Sequence, residues 1–229
     1  MQPGKRFEKI KWVLDRRQPD LTVVMDGVKK PHNVAAVIRT CDAVGISEIH
    51  TVTVQHGLRF RNHAASGTHK WIDVIRHHDV ASTVAVLRMR GFHLLAAHHE
   101  PTARDFRTVD YTKPTAIVVG TELEGLSPET VALCDEMLRI PMSGMVESLN
   151  VSVATALILF EAHRQRTEAG FYETRRLDDE TYTHRLFEFT HPQVSAYCRR
   201  KQLPYPAMNE RGEIAEPFSA PSILQTPAS

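Results

Sequence analysis

The chain has 229 residues, 42% of them hydrophobic and 24% charged, and a formal net charge of +1. That composition describes an ordinary globular protein with length for one full core and short appendages. No apolar stretch reaches the roughly 20 residues that span a bilayer, and the basic start lacks the apolar segment and cleavage site of a secretory leader. Cys41, Cys134 and Cys198 are scattered and unpaired by spacing, which points to a reducing cytoplasm and gives no zinc framework. His77-His78 and His98-His99 are adjacent pairs whose side chains face apart on a strand, and no HExxH occurs, so metal catalysis is not expected.

In chain order, Phe7, Ile10, Trp12, Val13 and Leu14 mark an amphipathic helix that ends before Gln18-Pro19. Strands are predicted over residues 21–25, 48–54, 71–76, 93–97, 116–119 and 137–140, with helices over 33–44, 79–90 and 128–135. Gly45 and Gly91 stop the first two of these helices. Such alternation predicts a parallel α/β sheet with helices on both faces. A long helix follows over 148–169, broken by Gly170, and then weaker charged helices over 178–189 and 193–201. The last stretch carries Pro204, Pro206, Pro217, Pro221 and Pro227 and is expected to be extended or partly disordered. The division expected is an N-terminal helical extension over 1–20, a catalytic domain over 21–169, and a helical, Pro-rich extension over 170–229.

Three polar clusters stand at the ends of apolar runs. In the first, Lys30-Pro31-His32-Asn33 opens a helical stripe of Val34, Val37, Ile38 and Cys41 that also bears Arg39. Asn33 and Arg39 are about 120° apart on a helix of ~3.6 residues per turn, so they converge only if Asn33 sits in the cap or loop. Taken singly, Asn33 reads as a cap and Arg39 as a partner of Asp42. In the second, a strand buried on both faces ends in Gly120-Thr121-Glu122-Leu123-Glu124-Gly125. Its glycine spacing is that of a P-loop, but Leu126 stands where that loop needs lysine, which argues against triphosphate hydrolysis. Ser127 and Pro128 then start a helix. In the third, Ile140-Pro141-Met142 leads to Ser148-Leu149-Asn150, whose short polar side chains sit at the start of the long helix.

Together these segments resemble the three motifs of the SPOUT methyltransferases, specifically the TrmH family of RNA ribose 2′-O-methyltransferases. Arg16-Arg17-Gln18-Pro19-Asp20-Leu21-Thr22-Val23 and Leu203-Pro204-Tyr205-Pro206 resemble the terminal extensions of the family's bacterial tRNA enzymes. The resemblance implies a SPOUT fold: a mostly parallel sheet flanked by helices, with a C-terminal deep trefoil knot that periodicity would not predict. It implies transfer of a methyl group from S-adenosylmethionine to the ribose of guanosine 18 in the D-loop of tRNA. Ala97, Gly120, Glu122, Ile140, Met142 and Leu149 are then the cofactor-binding positions. Arg39, Asn33, Glu122, Ser148 and Asn150 are the catalytic set. Arg39 is often described for the family as a general base, but a guanidinium stays protonated. Phosphate binding and stabilisation of the developing alkoxide fit its chemistry better.

The small net charge hides a distribution. Lys5, Arg6, Lys9, Lys11, Arg16 and Arg17 face only Glu8 and Asp15 in the first stretch, and further clusters stand at Arg164 with Arg166, at Arg175-Arg176, and at Arg199-Arg200-Lys201. Such runs are commonly solvated faces, yet a docking surface for RNA phosphates would also look like this. Arg16, Arg17, His32, Arg164 and Arg166 are the RNA-contacting residues expected on this reading. The family also implies a two-fold dimer, for which Val153, Ala156, Leu157 and Phe160 offer apolar surface on the long helix. Two other readings share the fold: a ribosomal RNA methyltransferase, commonly preceded by a separate RNA-binding domain, and a catalytically silent RNA-binding protein, which would have no need of the polar set.

Overall fold

A computed structural model describes residues 3–52, 70–121 and 124–215. The elements in chain order are α1 (Pro3–Leu14), β1 (Leu21–Asp26), α2 (Pro31–Ala43), β2 (Glu48–Val52), β3 (Asp73–His77), α3 (Val80–Met89), β4 (His93–Ala97), β5 (Arg104–Asp105), β6 (Thr115–Val119), α4 (Pro128–Ala132), β7 (Glu136–Arg139), α5 (Val151–Glu168), α6 (Asp179–Thr190) and α7 (Pro192–Lys201). They divide into two compact units, Gln18–Tyr172 and a second built from Met1–Arg17 with Glu173–Ser229. No described helix is long and apolar enough to cross a membrane.

In the larger unit a seven-stranded sheet runs in the order β3-β2-β1-β6-β4-β7-β5. Every neighbouring pair is parallel. Alternation along β6 explains why both faces must be covered. Ile117 and Val119 enter one core with Val34, Val37 and Ile38 of α2 and Ile158, Leu159 and Ala162 of α5. Ala116 and Val118 enter the other with Val84 and Leu87 of α3 and with Leu126. Each such side chain contributes about 1.5–3 kcal/mol on full burial, which leaves no place for charge in the middle of the sheet.

Element boundaries differ from expectation where polar groups intervene. The helix expected over 128–135 stops at Ala132, because the chain turns to bring the Asp135 amide to the Leu94 carbonyl, at 2.9 Å, and the Asp135 carboxylate to the Leu94 amide, at 2.8 Å. β5 was not predicted, since two residues carry no periodicity. Residues 53 and 54 of the expected second strand lie outside the described residues. Gly45 follows α2 in the left-handed region, φ 86°, where a side chain would be strained.

The smaller unit pairs α1 with α6 and α6 with α7. Phe187 stacks on Tyr205, ring centroids 4.7 Å apart, and the Tyr205 hydroxyl donates to Glu188 at 2.8 Å. The Pro204–Pro206 stretch is extended, as its prolines lead one to expect, and Tyr205 pins it. Residues 216–229 lie outside the described residues.

Two arginines expected at an RNA surface are interior. Arg17 is 1% exposed, continuing the buried stripe Phe7, Ile10 and Leu14 of α1. Arg166 is fully buried on the α5 stripe of Val151, Thr155, Ile158, Leu159 and Ala162. Its Nε donates to Tyr111 O at 2.8 Å, one terminal nitrogen to Gln18 Oε1 at 3.0 Å and Asp20 Oδ1 at 2.6 Å, the other to Asp20 O at 3.2 Å and Lys113 O at 3.1 Å. That arrangement uses all five guanidinium donors of Arg166, and the burial of Arg17 likewise keeps it from a phosphate at the surface. Removing the Asp20 carboxylate would leave a buried cation without its counter-charge. Asp20→Ala is expected to lower the unfolding free energy by about 3–5 kcal/mol in urea titrations. A loss below about 1 kcal/mol would show that the backbone carbonyls alone satisfy Arg166.

Candidate active site

The carboxyl ends of β4, β6 and β7 open on a cavity of about 270 Å³, near the lower end of the roughly 300–1,000 Å³ common for small-molecule sites. In an open parallel sheet this edge, beside the reversal of strand order between β1 and β6, is where ligands bind. Ala97, Gly120, Ile140, Met142 and Leu149, five of the six positions assigned to the cofactor, line it together. Glu122, assigned to both cofactor and catalysis, lies outside the described residues. His98, His99, Thr121, Glu124 and Glu147 supply polar lining that sequence reasoning did not assign. The first four adjoin the ends of β4 and β6, and that placement was the signal available.

The turn after β6 is tight. Thr121 and Gly125 exchange both backbone hydrogen bonds, at 2.9 and 3.0 Å, and the Thr121 hydroxyl accepts from the Glu124 amide at 3.1 Å. A Cβ on Gly120 would lie 2.1 Å from the Gly125 carbonyl oxygen, so only glycine lets the two backbones close. Ser127 then caps α4, accepting from the Thr130 amide at 3.1 Å, with Pro128 at the first helical position.

Asn150 starts α5. Its Oδ1 accepts from the Ser152 amide at 2.9 Å and the Ser152 hydroxyl at 2.6 Å, the geometry of a cap. Its Nδ2 reaches across to Asn33 Oδ1 at 3.2 Å. Asn33 is not the cap of α2, as the sequence allowed; Lys30 is, and Asn33 lies inside the first turn, 2% exposed. The Asn33 Nδ2 has no hydrogen-bond partner among the described residues. A buried amide donor left so costs about 1–3 kcal/mol, and such groups concentrate where function requires them.

The structure does not bring every predicted residue together within one chain. Ser148 is exposed, precedes α5 and lines the cavity. Arg39 is exposed on α2 and is not part of the cavity wall. His32 is exposed at the start of α2. Arg164 is exposed but bridges Glu161 and Glu168, each at 2.7 Å, and its hydrogen bonds to Glu161 first and Glu168 second hold its guanidinium above the ordinary arginine pKa. Its charge is thus already matched along α5. Arg16 donates to the Trp12 carbonyl at 3.1 Å and lies over the Trp12 ring.

The sequence model of the SpoU rRNA Methylase family matches residues 20–160, and that of the SpoU rRNA methylase C-terminal region matches residues 164–217. The chain belongs to the SpoU methylase family. One SpoU relative is a tRNA (guanosine(18)-2′-O)-methyltransferase of Escherichia coli strain K12, 48% identical over 211 residues that cover 91% of this chain and 92% of that one. Among solved SpoU structures, the Aquifex aeolicus TrmH/SpoU tRNA modifying enzyme has a TM-score of 0.79 at 39% identity, covering 85% of this chain and 99% of that one. The SpoU methyltransferase AviRb from Streptomyces viridochromogenes, solved with S-adenosylmethionine bound, has a TM-score of 0.60 at 27% identity, covering 67% of this chain and 62% of that one. Within this SpoU chain the Gly120 turn is the feature a substitution tests most directly. Gly120→Ala is expected to abolish S-adenosylmethionine binding in isothermal titration while the far-ultraviolet spectrum stays folded. Wild-type affinity in that variant would remove the turn from the site.

Proposed function

We propose that this chain methylates the 2′-hydroxyl of guanosine 18 in tRNA, using S-adenosylmethionine. The observation that carries the reading is one cavity at the switch of a parallel sheet, walled by the backbone turns after three strands and flanked by the Asn33–Asn150 pair. The E. coli relative named for this reaction, matched over nearly its whole length, supports the choice of tRNA. Ala97, Gly120, Ile140, Met142 and Leu149 fit the cofactor, because tight turns present main-chain donors and acceptors to a nucleoside while apolar side chains enclose its ring. Glu122 is kept in the proposal as a cofactor and catalytic residue, as is the trefoil threading of the chain between β7 and α5.

The cofactor supplies a methyl group already activated by a sulfonium, so the protein has to position and to manage one proton. Asn150, fixed by its cap bonds, orients Asn33, whose Nδ2 offers a donor to an oxygen of the reacting ribose. Ser148 borders the same space. Arg39 binds the phosphate next to the target ribose and stabilises negative charge on the 2′-oxygen as its proton leaves to phosphate or water.

Arg39 serves the cavity of a second copy in this proposal. Val153, Leu157 and Phe160 of α5 are 47%, 42% and 52% exposed on one stripe, beside Met145 and Val146 in the preceding loop, an apolar face suited to a two-fold interface. Ala156 is only half-buried beside it. His32 and Arg16 are the RNA contacts retained.

Purified protein given labelled S-adenosylmethionine and unmodified tRNA is expected to form 2′-O-methylguanosine at position 18. Label on a base, or on ribosomal RNA alone, would reject the assignment. Arg39→Ala and Asn150→Ala are each expected to lower kcat by roughly 100-fold or more with cofactor affinity little changed by the first. Co-refolding the two inactive variants should restore a measurable fraction of activity, because mixed dimers carry one intact site. No recovery, or an active monomer in sedimentation, would confine each site to a single chain.

A further inference from the structure

The exposed face of α1 combines a large aromatic ring with positive charge. Phe7, Ile10 and Leu14 form the buried stripe, and on the opposite side Lys5, Lys9, Trp12 and Arg16 follow at intervals of four, three and four residues, one continuous stripe. Trp12 is 48% exposed, unusual for so large an apolar surface. Lys9 Nζ lies 3.8 Å from the indole centroid and the Arg16 guanidinium carbon 4.3 Å from it. The two acids of α1 and its following turn are engaged elsewhere, Glu8 with Lys11 at 3.7 Å and Asp15 beside the Tyr182 hydroxyl. The stripe is thus cationic with an aromatic centre.

We propose that this stripe is a nucleotide-stacking contact for tRNA, in which the Trp12 indole takes the face of an unpaired base while Lys5 and Lys9 take flanking phosphates. The proposal rests on the reading of tRNA as substrate. Its occupant follows from complementarity of charge and ring: a polyanion with exposed π-faces satisfies both halves of the stripe at once. A cation over an exposed ring is held weakly. Arg16 is also fixed by its bond to the Trp12 carbonyl, whereas Lys9 has only its flexible stem. Lys9 can therefore swing from the indole to a phosphate as a base arrives, exchanging one cation–π contact for an ion pair and uncovering the ring. Arg17, on the buried stripe, has no part in this contact.

The chain has two tryptophans, so full-length Trp71→Phe protein leaves Trp12 as the reporter. Unmodified tRNA is expected to quench its fluorescence, saturating at the concentration where filter binding saturates. In the otherwise wild-type protein, Trp12→Ala should weaken tRNA affinity about tenfold and raise KM with kcat at saturating tRNA unchanged, while Trp12→Phe retains most of the affinity. The salt slope should be unaltered by Trp12→Ala and flattened by Lys5→Gln with Lys9→Gln. Full affinity in Trp12→Ala, or tRNA bound without quenching, overturns the stacking contact even where guanosine 18 is methylated. Loss of affinity in the lysine variant with none in Trp12→Ala would make the face purely electrostatic and overturns it equally. A wild-type protein that neither binds nor methylates tRNA rejects the substrate reading itself, and this contact with it.

Discussion

The guanidinium of Arg166 is the interaction on which the larger unit depends most directly. It joins the last turns of α5 to the residues that enter β1, through Asp20 and Gln18, and to the segment that enters β6, through Tyr111 and Lys113. β1 and β6 are the two central neighbours of the sheet, paired from Leu21↔Thr115 to Met25↔Val119. At about 1.5 Å rise per residue, α5 is a rod roughly 27 Å long, clamped by Arg166 near one end and carrying Asn150 at the other. A small tilt at the clamp becomes a displacement of ångströms at the cavity. Precision at Asn33 and Asn150 is therefore set in part by a charge far from them, which is why a fully satisfied cation in the interior is tolerated despite its desolvation.

The sheet imposes the second constraint. Its central strands are buried on both faces, so polar side chains can serve a ligand only where the strands end. Ala97, Val119 and Leu138, near those ends, give apolar walls, and the loops beyond them give backbone groups and the few polar side chains. Against this economy the unpartnered Asn33 Nδ2 stands out. A helix–helix contact between α2 and α5 would be more stable with an aliphatic residue there. Its retention next to Asn150 is a local cost that makes sense only if a third group arrives.

Much of the sheet was legible because its strands are short apolar runs separated by helical stripes and glycine stops; β4 runs over 93–97 as periodicity gave it. The cavity was legible only through the family resemblance, since its wall comes from loops scattered across β4, β6 and β7 that no local pattern connects. The two buried arginines share one cause: residue type alone presents Arg17 and Arg166 as charges, without their place along the chain. Arg166 continues the α5 stripe of Ile158 and Ala162, and Arg17, past the turn that ends α1, keeps the spacing of Phe7, Ile10 and Leu14; both are inside. Pro204 and Pro206 lead to the extended backbone found there, but composition says nothing of the aromatic stack that holds Tyr205 on Phe187. His50 Nδ1 meets His77 Nε2 at 2.9 Å across β2 and β3, a contact that adjacent-histidine reasoning could not find because it pairs residues by sequence and not by register. Burial first and the neighbouring His50 second hold the His77 pKa below its ordinary value.

Helix geometry is also the physical argument behind the proposed sharing of a site between two chains. Asn33 and Arg39 stand six residues apart on one regular helix, α2, and since Asn33 is within the helix and not in its cap, nothing relaxes the angle of about 120° between them. Asn33 turns inward to Asn150, and Arg39 is left on the exposed side, away from the cavity wall. A phosphate and ribose bound in the chain's own cavity would have to be reached around the helix. In the proposed dimer, a second copy held by the exposed Val153-Leu157-Phe160 face of α5 would present its cavity to that side instead. On that proposal, the angle that separates the two residues in one chain would let each of them serve a different copy.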